Sequence, residues 1–185
     1  MNIKKLSADQ FALLFDVRRS IRYHDRRRAF FDTLHRTTAV FTVILASSIF
    51  LDLLGNSTTP RWLTLVALLA AGLAALDVVI GFSRSANMHH DLKRRFVALE
   101  MQMVVGDNGE ETFNNHMAER LAIEQDEPPI FRALDLLCNN EVAQAEGLSR
   151  EDDPEFAEVT FVQRATSQLY RWSNLRAEVQ SKSTS

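Results

Sequence analysis

Two apolar blocks constrain this chain more than any other feature. Thr37–Gly55 reads TTAVFTVILASSIFLDLLG with Asp52 as its only charge, and Trp62–Phe82 reads WLTLVALLAAGLAALDVVIGF with Asp77 as its only charge. A hydrocarbon core of ~30 Å takes roughly 20 helical residues to cross, so each block fits one crossing. The core helices of a soluble bundle carry a polar stripe at helical spacing, and neither block has one. Thr42, Ser47, Ser48 and Thr64 do not argue otherwise, because a helical hydroxyl can bond back to its own backbone. The blocks therefore predict a two-span hairpin, and hydropathy is the discriminating signal.

Charge sets the orientation. Residues 1–36 hold nine lysines or arginines, and Arg84, Lys93, Arg94 and Arg95 follow the second block, whereas the connector NSTTPR has only Arg61. The positive-inside rule then puts both termini in the cytoplasm and the connector outside. No short apolar core with a small-residue cleavage site precedes the blocks, so no signal peptide is expected. The cluster RRSIRYHDRRRAFF could also mark a nucleic-acid site. The adjacent membrane explains it without one, since juxtamembrane arginines are each attracted to anionic lipid by about 1 kcal/mol. Arg18, Arg19, Arg22, Arg26, Arg27, Arg28 and Arg84 are accordingly read as lipid-headgroup residues.

The remainder reads as helix. Phe11, Leu14, Arg18 and Ile21 suggest an amphipathic helix leading into the first span, and Leu92, Phe96, Leu99 and Met103 continue the second span as one long helix up to the turn Gly106-Asp107-Asn108-Gly109. A helix is expected near 111–125. Another starts at Pro128-Pro129, with Phe131, Leu134, Cys138 and Val142 as its apolar stripe and Gly147 closing it. A last helix is expected over 156–179, with Phe161, Ala165, Leu169 and Trp172 aligned. The expected product is an all-α membrane protein: a basic N-terminal helix (1–36), a transmembrane hairpin (37–82, spans 37–55 and 62–82), an acidic helical cytoplasmic domain (83–180) and a disordered tail (181–185). Residues 107–159 carry fifteen acids against three arginines, a net of −12. That acidity is expected to be repelled by anionic lipid, so this part can hang below the membrane or contact the basic N-terminal helix of the same or a neighbouring subunit, or simply form a solvated face.

Catalytic signals are missing. The chain has no phosphate-binding glycine loop, no Cys-x-x-Cys pair and no nucleophile elbow. His89 and His90 are adjacent and diverge on a helix, which suits no shared metal. Cys138 is the sole cysteine and reads as a small buried hydrophobe. No enzyme activity, cofactor or metal is expected.

Asp77 and Asp52 are the intramembrane candidates. Taking Leu45 and Gly72 as span centres, they lie ~18 Å apart along the normal, too far to act as a dyad. Asp52 sits near the outer interface. Asp77 is deeper in the cytoplasmic leaflet, near the level of Arg36, which makes an Asp77 to Arg36 pair possible. Ala70, Ala74, Asp77 and Gly81 fall on one face, beside a row of Ala67, Ala71 and Ala75. Small residues let helices approach closely in lipid, so Asp77 is expected to face protein or a wet cavity.

The stretches RSIRYHDRRRAFFDTLHRTT and EPPIFRALDLLCNNEVAQAEG resemble the SLATT family, bacterial two-span proteins with a helical cytoplasmic extension, associated with nucleotide-sensing conflict systems. The resemblance covers most of residues 10–175. It implies an oligomeric inner-membrane effector that perforates or depolarises the membrane when a separate sensor or nucleotide signal reports infection. The rival reading is an anchored helical scaffold that recruits a cytoplasmic partner without forming a pore.

Overall fold

The computed structural model describes residues 6–54, 61–106, 109–148, 156–173 and 175; the side chains of 48–54, 61 and 63 lie outside that description. Among the described residues every regular element is a helix: α1 (Ala8–Leu54), α2 (Arg61–Ile80), α3 (Phe82–Val105), α4 (Glu110–Glu124), α5 (Arg132–Ala145) and α6 (Phe161–Thr166). The expected tail 181–185 and the centre of the turn at 107–108 fall outside the described residues. Among the described residues one helical run, Thr64–Val105, is long and apolar enough by length and composition to cross a membrane; it takes in most of the expected span 62–82, and no second such run coincides with the expected span 37–55.

The expected N-terminal helix and first span are a single helix. α1 starts with a capping box in which Gln10 N–H donates to Ser7 Oγ and Ser7 N–H to Gln10 Oε1, at 3.2 and 3.0 Å. No glycine or proline interrupts it before Leu54. The second long helix is broken at one residue: Gly81 takes φ +66°, a left-handed conformation that an L side chain adopts only at a cost, and α2 gives way to α3 there.

The chain forms two compact units, one from residues 1–26 and 90–185, the other from residues 27–89. The first has an ordinary core. Leu13, Leu14 and Val17 of α1 pack with Leu92, Phe96, Leu99 and Met103 of α3 and Ile123 of α4. A second cluster joins Tyr23 to Leu134 and Cys138 of α5, with Phe131 against it. The stripes read from the sequence on α3 and α5 are thus the faces that bury. α5 begins at Arg132, later than Pro128-Pro129 suggested, and ends in a Schellman motif: Leu148 N–H donates to Ala143 O and Gly147 N–H to Gln144 O, with Gly147 at φ +79°.

The last expected helix is much shorter than its pattern. Residues 156–160 have no regular secondary structure and are held by Asn140, whose amide donates to Ala157 O while its oxygen accepts from Ala157 N–H (2.8 and 3.0 Å). A capping box between Thr160 and Gln163 starts α6, which ends within two turns, and Trp172 stands at φ +50°. Residues 176–179 lie outside the described set.

The second unit, which holds the hairpin helices, is built differently. Val40, Phe41, Val43 and Ile44 of α1 and Leu65, Leu68, Leu69, Val78 and Val79 of α2 are all exposed, Val78 and Val79 at 83 %. Only 11 % of the most apolar window of the candidate span is buried. Exposed apolar surface of this extent marks a face that meets another protein or a membrane.

Candidate functional site

Within the hairpin unit, one face of α1 carries Arg27, Phe31 and His35 at four-residue intervals, which stacks their side chains along the helix. Phe31 lies parallel to the His89 ring at 5.8 Å and tilted against Phe82 at 6.4 Å. The Arg27 guanidinium sits 4.7 Å above the Phe31 ring, so its charge is held by an aromatic face. One turn further on, His35 Nδ1 meets Asp77 Oδ2 at 3.0 Å.

Asp77 therefore meets α1, and the partner is His35 instead of Arg36. Arg36 is turned about 100° around α1 from His35. Its side chain is 80 % exposed and lies 4.0 Å from Asp32, which also meets Arg28 at 4.0 Å. Asp52 belongs to α1 with its side chain outside the description. The two small-residue rows separate: Ala70 is buried and Ala67 and Gly81 are half-buried, whereas Ala71, Ala74 and Ala75 are exposed. A Cβ added at Gly72 would touch nothing within 4 Å.

Residues 35 and 36 lie at nearly the same level on α1, so level along the helix cannot choose between them as partners of Asp77. The choice follows from the face shared with Phe31 and Arg27. Reading that four-residue spacing would have singled out His35.

In the other unit three arginines of the basic stretch of α1 pair with carboxylates of the same chain. Arg18 Nε donates to Glu100 at 2.7 Å, and its Nη1 reaches Glu146. Arg19 sits between Asp16 and Asp135 at 3.2 and 3.3 Å, and Arg26 pairs with Glu141. Burial opposes the charge on Arg18, yet the Glu100 and Glu146 carboxylates outweigh it and hold its pKa above the ordinary value. Arg120 is raised in the same way: burial works against it, and Glu124 and Asp16 prevail. Of the residues expected to meet lipid headgroups, Arg18, Arg19 and Arg26 are thus engaged with carboxylates and Arg27 with rings, while Arg84 is exposed and Arg22 and Arg28 are half-buried.

His24, missed in the sequence, is fully enclosed. Its Nε2 lies 3.0 Å from Glu127, and its ring stacks on Phe96 at 5.7 Å. Beside it Tyr23 Oη accepts the Phe131 N–H at 3.0 Å. These two contacts pin the α4–α5 connector, and a cavity of about 450 Å³ lined by Arg19, Tyr23, Arg120, Glu127 and Pro128 opens against it. Cys138 is buried and its thiol pushed up to about 12, chiefly by desolvation, so it does not serve as a nucleophile near neutral pH. No family model matches this chain, and no curated protein or solved structure matches it.

Proposed function

We propose that this chain is an inner-membrane effector whose hairpin, spans 37–55 and 62–82, sits in the bilayer with both termini cytoplasmic and assembles with further copies to permeabilise the membrane. The observation that carries the reading is the inverted hairpin: apolar side chains outside, and the His35 to Asp77 pair between its helices. Two spans cannot enclose a path alone, so permeabilisation requires an oligomer. The SLATT resemblance supports an effector role in bacterial defence, with the trigger supplied by a separate sensor. The test is dye release from liposomes carrying the full chain, together with a membrane-potential dye in cells under regulated expression. Release that rises with protein-to-lipid ratio and changes with Asp77→Asn supports the reading; an inserted but monomeric and silent protein refutes it.

The packed unit of residues 1–26 and 90–185, in which Arg18 and Arg19 of α1 are paired with carboxylates of the same chain, favours the second reading, an anchored scaffold for a cytoplasmic partner. A scaffold predicts insertion with no leak at any ratio.

A further inference from the structure

The cavity of about 450 Å³ against the α4–α5 connector lies wholly within the unit of residues 1–26 and 90–185. Its volume falls in the range of small-molecule sites. α1 supplies donors to it. The Arg19 Nε is shut off from solvent and makes no hydrogen bond, Asp135 Oδ1 standing 3.3 Å away outside hydrogen-bonding geometry. A buried donor left in this way costs the fold, and an acceptor placed in the cavity would relieve it. Ser20, the next residue on the helix, also lines the cavity, and among the described residues its hydroxyl is committed to no other group.

The end of α4 and the connector supply acceptors. Glu124 accepts from Arg120 Nε at 2.6 Å through one oxygen, and Glu127 meets His24 Nε2 at 3.0 Å through one oxygen. Both carboxylates line the cavity, and the second oxygen of each is uncommitted among the described residues. Beside them Pro128, Pro129 and Ile130 form an apolar wall.

Charge decides which molecule suits these groups. The cavity and its ion-pair shell hold Arg19, Arg120 and Arg132 against Asp16, Glu124, Glu127 and Asp135, with His24 beside Glu127. Three arginines against four acids leave no net positive field, so an anion is repelled by the acids, while a cation leaves Arg19 unmatched. An uncharged polar molecule makes only the weaker, neutral kind of hydrogen bond from its own side. A molecule that carries both charges and no net charge serves the donors and the acceptors together.

We infer that this cavity binds a small zwitterion of the α-amino-acid class, its carboxylate on Arg19 and Ser20, its ammonium on Glu124 and Glu127, and its apolar side chain along the connector wall. The site belongs to the packed unit and stands independently of what the hairpin does in a membrane.

The test is saturation binding of tritiated leucine, methionine and phenylalanine, each in turn, to the full chain in detergent micelles by scintillation proximity. The amino acid that binds is then displaced by its unlabelled self, its amide and its N-acetyl derivative. The amide lacks the negative charge and the acetyl form the positive one, so each should compete about tenfold less well. Glu124→Gln should weaken binding about tenfold and Ser20→Ala roughly fivefold, while Val78→Ser, far along the sequence in the hairpin unit, should leave it unchanged. Circular dichroism checks that each variant keeps its helix content. No saturable binding of any of the three at millimolar concentration overturns the proposal. Equal competition by the acetyl form or by the amide also overturns it, because one charge then suffices. Binding that survives both Glu124→Gln and Ser20→Ala in folded protein places the amino acid elsewhere and refutes the site.

Discussion

His35 Nδ1 and Asp77 Oδ2 stand 3.0 Å apart, joining α1 and α2 by a side-chain hydrogen bond. In lipid such a bond has less competition from water, although measured interhelical couplings average only ~0.6 kcal/mol and reach ~1.7. His35→Ala and Asp77→Asn should therefore be non-additive, with a coupling of about 1 kcal/mol in a double-mutant cycle by unfolding in mixed micelles. Arg36→Ala should show no coupling to Asp77→Asn. Additivity of the His35 and Asp77 changes would mean that the contact is not made.

Gly72 inside α2 and Gly81 at the α2–α3 break offer a contrast. At Gly81 an added Cβ meets Arg84 Cβ only at 3.7 Å, but the φ of +66° remains, so Gly81→Ala should cost about 1 kcal/mol through the backbone. Gly72→Ala meets nothing within 4 Å and replaces the poorer helix former, so it should be neutral or stabilising by up to ~1 kcal/mol. Thermal denaturation followed by circular dichroism distinguishes the two. A larger loss at Gly72 than at Gly81 would contradict this assignment, and would point to a neighbour copy packed there.

Arg18 ties α1 to both Glu100 and Glu146, and its side chain is 23 % exposed. Arg18→Ala strands two half-buried carboxylates and should destabilise by about 1–2 kcal/mol, a range lowered for solvent screening. Arg18→Lys should recover only part, since an ammonium cannot reach two acids with the same fork. Full recovery by lysine would show that charge alone matters.

Cys138 gives a pH dependence of known sign. Its folded thiol ionises near 12, against about 8.5 in an unfolded chain. The unfolded state thus loses its proton first as pH rises, and this contribution to stability, complete below about 8.5, declines from there towards 12. At pH 8 a maleimide should label the denatured chain quickly and the native one hardly at all. Equal labelling would mean that the thiol is open to solvent.

The sequence was most readable where periodicity and burial agree. Leu92, Phe96, Leu99 and Met103, and likewise Leu134, Cys138 and Val142, repeat at helical spacing and line the core. Spacing failed at Phe161, Ala165 and Leu169, because an apolar stripe says that a face wants cover without saying that the fold supplies it. Asp77 was recognisable as an outlier, but its partner depended on a 100° rotation between His35 and Arg36. The arginines of α1 looked available because their acids, Glu100, Asp135, Glu141 and Glu146, arrive from about 80 to 130 residues away.

The central claim is that the hairpin's apolar exterior faces lipid. Spin labels at Val43 and Val78, 64 and 83 % exposed, measure it most directly through relaxation by oxygen, which concentrates in acyl chains, and by a water-soluble nickel chelate. In reconstituted full-length protein both labels should respond strongly to oxygen and weakly to nickel. Strong nickel relaxation at both sites would place these faces in water and contradict the account.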